Sequence, residues 1–129
     1  MATKRSTKIS IDGKKISVNC IDWDIKLAKP DFKSADMCEE YGLFEKRRNL
    51  ITIQDKTDQV TEFNTLLHEI LHGVVWLGRL NASGQPLDTE EKEELVVNTI
   101  TNYLVGVFKQ NKWFRDYLIQ SFDNFENNK

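Results

Sequence analysis

The chain has two histidines, His68 and His72, four residues apart, with Glu69 directly after the first, in the run TLLHEILHGVV at 65–75. On an α-helix, residues four apart lie one turn apart on the same face, so both imidazoles can be directed at one point. Neutral imidazole nitrogen is a good ligand for Zn²⁺. Glu69 lies about 100° round the helix from His68, within reach of a water on that metal but badly placed to ligate it. Zinc lowers the pKa of such a water towards ~7, and a carboxylate can take its proton as it attacks a carbonyl polarised by the same ion. These are the parts of a metallohydrolase. With His at about 2% and Glu at about 6% of residues, HExxH arises by chance in a chain this long roughly three times in a thousand. The alternative is a core helix with two satisfied histidines. Against it, Leu66, Leu67, Ile70, Leu71 and Val74 make the helix heavily apolar. Two imidazoles and a carboxylate are costly to bury there without a metal or a charge partner.

A catalytic zinc site takes a third protein ligand and keeps one position open. No third histidine exists, and Val75 and Gly78 stand where an HExxHxxGxxH motif would place its Gly and His. The third ligand is therefore expected to be acidic. The run DTEEKEELVVN at 88–98 offers Asp88, Glu90, Glu91, Glu93 and Glu94. The apolar side of that segment, at Val97, Ile100, Thr101, Leu104 and Phe108, continues back to Glu94 and then Glu90 at steps of three and four. Glu94 is the expected ligand, with Glu93 and Glu90 as alternatives. The remaining acids read as a solvated first turn that complements the helix dipole. Asn98, one turn beyond Glu94, is placed to orient a ligand histidine through its side-chain oxygen.

The elements that must position these groups are legible in outline. Apolar residues at helical spacing from Phe63 to Leu77 predict a helix from about Asp58 to Gly78. A second helix is predicted to start with an Asp88-x-x-Glu91 capping box and to carry Val97, Ile100, Leu104 and Phe108 on one face. The segment NKWFRDYLIQSF predicts a third, amphipathic helix over about 111–124. Upstream, Ile9 and Ile11 alternate before Asp12-Gly13, and Ile16 and Val18 after it. That pattern predicts a hairpin turning at Asp-Gly. A short helix capped by Ser34 and stopped near Gly42 is expected next. Leu43-Phe44 and Leu50 to Ile53, joined by EKRRN, read as a second strand pair. These readings give an α+β fold in one domain, 1–129, with a small, mostly antiparallel sheet packed on the HExxH helix and further helices behind it.

Composition bounds the partners. A net charge of −2 over 129 residues argues against a dedicated nucleic-acid binder. Cys20 and Cys38 lack CxxC spacing and are expected as free, buried thiols. The basic start MATKRSTK is not followed by an apolar signal region, and no apolar run approaches the ~20 residues that span a bilayer, so a cytoplasmic protein with no membrane partner is expected.

TLLHEILHGVV followed by EELVVNTITNYL resembles the small phage-type zinc metallopeptidases related to the ImmA/IrrE group, over roughly residues 40 to 110. The resemblance implies a minimal zincin-like fold, with a short sheet and hairpin before the HExxH helix. It implies His68 and His72 as Zn²⁺ ligands, Glu69 as general base and Glu94 as third ligand. It further implies endopeptidase action on a cytosolic protein, such as a repressor, in the host bacterial cytoplasm if the chain is phage-encoded. Asn98 departs from the pattern, since many such proteases place Asp there. No third histidine is available to stabilise an oxyanion. Tyr41, Tyr103, Tyr117 and Arg79 could donate in principle, and none is assigned. The strand at Leu50 to Gln54 is a candidate edge for pairing with a peptide substrate.

Two other readings compete. An inactive binding module of the same fold would use the aromatic tail Trp113, Phe114, Tyr117, Phe122 and Phe125. A purely structural zinc would need a fourth protein ligand, for which Cys20 or Cys38 could serve.

Overall fold

Alternation fixes the inner face of the sheet. Along IDWDIKLA, Trp23 and Ile25 are buried while Asp22, Asp24 and Lys26 are exposed, the period of a strand with one covered face. The computed structural model describes residues 8–29 and 41–126. Among them it places β1 (Lys15–Val18), β2 (Ile21–Ala28), β3 (Gly42–Glu45), β4 (Leu50–Gln54), α1 (Gln59–Leu77), α2 (Glu90–Gln110) and α3 (Lys112–Asp123). The fold is α+β, a mixed sheet of order β1-β2-β4-β3 with three helices. β1 with β2 and β3 with β4 are antiparallel, whereas β2 and β4 run parallel in the register Ile25 to Ile51.

The sheet departs from the sequence reading in two places. Asp12-Gly13 does turn, with Gly13 at φ 78, but residues 8–11 form no strand. The Asp12 carboxylate accepts from the Leu27 backbone N–H at 2.9 Å, and the Gly13 N–H donates to the Ile25 carbonyl, so this turn is fastened to β2. The hairpin lies one turn later, between β1 and β2, where Asn19 and Cys20 are both left-handed (φ 50 and 68). That turn holds Cys20 out in solvent instead of in the core. Cys38 and the helix expected from Ser34 lie outside the described residues, apart from its end, where Gly42 begins β3. The second difference concerns β4, which is central, paired on one side with β2 and on the other with β3. Its Ile51, Thr52 and Ile53 are all buried and both its sides are paired, so it offers no edge to a peptide; β1 and β3 are the edge strands.

Helix α1 covers the inner face. Asp58 caps it by accepting from the Thr61 N–H at 2.8 Å, and Leu66, Ile70 and Leu77 pack on Trp23, Ile25, Ile51 and Ile53. At its end Gly78 stays right-handed while Arg79 takes the left-handed position, with the Leu80 N–H donating to the Val75 carbonyl.

Helix α2 packs on the opposite side of α1. Its N-cap is Thr89, whose hydroxyl accepts from the Lys92 N–H, while the Asp88 carboxylate is taken by the Lys92 ammonium at 3.0 Å. The buried stripe is Val97, Thr101 and Val105, whereas Ile100 and Leu104 face outward. Val97 joins Val75 and Leu87 in a second small core beneath the α1–α2 loop. Helix α3 matches the expected tail helix, held through stacked Phe108 and Phe114 and by Arg115 donating to the Phe108 carbonyl. None of its residues is buried. No helix of the described residues is long and apolar enough to cross a membrane.

Candidate metal centre

Both histidines project from one face of α1 towards the first turns of α2. Their Nε2 atoms are 3.1 Å apart. Glu94 reaches across from α2 and meets both, with Oε1 at 2.9 Å from His68 Nε2 and Oε2 at 3.2 Å from His72 Nε2. His68 and His72 are about one-sixth exposed, and Glu94 is 43% exposed on the open side. One ligand atom from each residue falls within 4.8 Å of the others, a group able to hold a metal ion.

The chemistry of this donor set fits a cation. His72 Nδ1 lies 2.6 Å from Glu93 Oε2. An ionised carboxylate offers lone pairs alone, so His72 donates from Nδ1, and in the neutral ring Nε2 then presents a lone pair to the centre. That lone pair faces the Glu94 carboxylate and the His68 ring. A proton on His68 Nε2 can serve one Glu94 oxygen but leaves His72 Nε2 and Glu94 Oε2 as two acceptors face to face. A shared positive charge relieves all three contacts. Tetrahedral zinc with N and O ligands at about 2.0–2.2 Å separates them by about 3.3–3.6 Å, inside the 4.8 Å that encloses one ligand atom from each residue. Burial pushes the His68 imidazole below its ordinary pKa, a proton charge on His72, when present, pushes the same way, and Glu94 opposes both. The net shift favours the neutral ring, which is the form that ligates metal.

Glu69 points to the sheet side of the same turn. It is 6% exposed and lines both lobes of the cleft beside His68 and Glu94. One lobe, of about 480 Å³, runs between Leu43 and Phe44 on β3, with Lys46 in the turn after it, and Glu90, Glu93 and Asn81 opposite. The other is walled by Tyr41, Gly42, Asn64 and Asn98.

Comparison of the chain with protein-family models, curated proteins and solved structures finds no match.

Of the three acids weighed as third ligand, Glu94 alone joins the metal-binding group. Glu93 is turned to the far nitrogen of His72, and Glu90 is exposed at the cleft wall. Asn98 is exposed in the second lobe, and among the described residues no hydrogen bond joins it to either histidine; the His72 Nδ1 partner is Glu93. Of the oxyanion candidates, Tyr41 lines the cleft. Tyr103 and Tyr117 are exposed on α2 and α3, and Arg79 serves the end of α1. The sequence reading missed Lys46 and Asn81. Both sit in connecting turns, EKRRN and NASGQP, where no periodicity marks which side chain faces the cleft.

Proposed function

We propose that this chain is a zinc-dependent endopeptidase acting on a protein substrate. The observation that carries the reading is the convergence of His68, His72 and Glu94 on one point beside the buried carboxylate of Glu69. His68 and His72 through Nε2, and Glu94 through its carboxylate, would hold Zn²⁺. When bound, zinc supplies a Lewis acid that lowers the pKa of water and polarises a carbonyl oxygen. Glu69 accepts a proton at a carboxylate oxygen from the attacking water and delivers it to the amide nitrogen of the leaving fragment. The low exposure of Glu69 keeps bulk solvent from competing for that proton. Among the described residues β3 pairs with β4 alone, so its outer edge beside the cleft can add an extended peptide as a further strand. A cytosolic protein such as a repressor is the substrate that the family resemblance suggests.

The test is metal analysis of protein purified without chelators, together with cleavage of an unstructured protein by wild type and Glu69→Gln. The expected result is one zinc per chain in both and proteolysis in the wild type alone. Wild-type protein that binds no zinc would overturn the reading.

The exposed aromatic face of α3 favours a second reading, a binding module that keeps the centre without cleaving. Trp113 is 69% exposed, and Tyr117, Ile119 and Phe122 are each more than half exposed. On that reading Glu69→Gln keeps biological activity and removal of α3 abolishes it. For a purely structural zinc, Cys20 does not supply the fourth ligand, since it is exposed and outside the metal-binding group of the described residues, and Cys38 lies outside those residues.

A further inference from the structure

The carboxylate of Glu93 is held from two sides. Its Oε2 accepts from His72 Nδ1 at 2.6 Å, and its Oε1 accepts from Asn81 Nδ2 at 2.9 Å. Its side chain is 16% exposed, as is that of His72, although Glu90 and Glu91 in the same first turn of α2 are exposed. A dipole-complementing surface acid would have no reason to be withdrawn in this way. Asn81 in turn belongs to a loop with fixed geometry. Arg79 is left-handed, the Leu80 N–H donates to the Val75 carbonyl, and the Leu87 N–H donates to the Leu80 carbonyl, with Leu87 buried on Val75 and Val97. The chain Asn81, Glu93, His72 thus links the α1–α2 loop to one ring of the centre. An imidazole held by such a carboxylate has one tautomer, one orientation and a more basic far nitrogen.

We propose that Glu93, itself oriented by Asn81, is the positioning residue of the centre. It fixes His72 as the Nδ1–H tautomer and sets the affinity for metal, the task the sequence reading gave to Asn98. Glu93 lies on the far side of the ring from Glu94, so it supports His72 and does not ligate. The inference rests on the metal-centre reading above.

The test reads metal affinity and not turnover. Competition with a chromophoric chelator for Zn²⁺, and the visible absorption of the Co²⁺ form, are measured for wild type, Glu93→Ala, Glu93→Gln, Asn81→Ala and Glu91→Ala. The expected result is a loss of affinity of about 10- to 100-fold in Glu93→Ala with an altered Co²⁺ spectrum. Glu93→Gln, whose carbonyl can still accept from Nδ1–H, recovers part of the loss. Asn81→Ala loses less, and Glu91→Ala matches wild type. Wild type that binds neither metal removes the centre itself. Wild type that binds while Glu93→Ala keeps wild-type affinity and spectrum overturns this inference and leaves the centre standing. Should the variants fail to fold, two-bond ¹H–¹⁵N correlation spectra of the unmutated, metal-free protein read the tautomer directly. Nδ1–H at His72 supports the inference, and Nε2–H overturns it.

Discussion

Gly42 lies hard against Glu69: a Cβ added at Gly42 would stand 3.2 Å from both Cγ and Oε2 of Glu69 and 2.6 Å from Cγ2 of Thr65. The first residue of the edge strand β3 is therefore what closes the sheet side of the proposed base. Thr65 cannot swing away freely, since its hydroxyl donates to the Thr61 carbonyl at 2.8 Å.

Gly42→Ala should push β3 off α1 and disturb Glu69 together with the edge proposed to bind peptide. We expect a stability loss of about 1–3 kcal/mol, the usual range for overpacking, measured by chemical denaturation. Thr65→Ser removes the obstructing methyl, so Gly42→Ala combined with Thr65→Ser should lose less than the sum of the single changes. Strict additivity would mean that the two residues do not clash.

Gly73→Ala gives a sharper opposition of effects. Helix propensity alone favours alanine over glycine in the middle of α1 by about 1 kcal/mol. The new Cβ, however, would lie 2.2 Å from Trp23 Cη2 and 2.5 Å from Cζ3. Trp23 is fully buried and meets Phe44 edge-on at 5.0 Å between ring centroids, so the indole has nowhere to go. The clash should win, with a net destabilisation of about 1–3 kcal/mol. A stabilised variant would refute the packing described here.

What the sequence made legible follows the range of the interactions involved. Helix α1 was readable because its apolar spacing, the Asp58 cap and Gly78 are all local signals that agree. The β1–β2 hairpin was not, because Asp12-Gly13 is the stronger local turn signal, whereas Asn19-Cys20 is forced left-handed by pairing with β2. Pattern counting spread the packed side of α2 over Ile100 and Leu104, but contact with α1 chose Thr101 and Val105, because it can only bury one narrow stripe. The same rotation separates the acids. One residue step turns the helix by about 100°, enough to send Glu93 and Glu94 to opposite nitrogens of His72. The central place of β4 depends on a parallel pairing with β2 that no local pattern announces.

The cap of α1 predicts a pH dependence. Hydrogen bonds from the Thr61 N–H and hydroxyl hold the Asp58 carboxyl below its ordinary pKa. A carboxyl depressed in the folded state adds stability above its unfolded pKa, and that stability fades as pH falls through the folded value. Asp58→Ala should therefore lower Tm at neutral pH, and the gap from wild type should narrow as pH drops through and below the carboxylate range. A gap that stays constant down to acid pH would mean that the side-chain cap contributes nothing.

The ligands and the base should separate under mutation. Glu94→Gln weakens the proposed charged ligand of the centre, so zinc content and proteolysis should fall together, and added zinc should restore part of both. Glu69→Gln keeps every proposed ligand and also the buried side-chain volume at position 69 that packs against Gly42. It should retain zinc and fold while proteolysis drops by about 10²- to 10⁴-fold, the range for loss of a positioned general base. Added zinc should not restore it. The opposite pattern, in which Glu69→Gln loses zinc and Glu94→Gln keeps it, would exchange the two carboxylates' roles. That exchange is hard to reconcile with Glu94 lying 2.9 and 3.2 Å from the two Nε2 atoms.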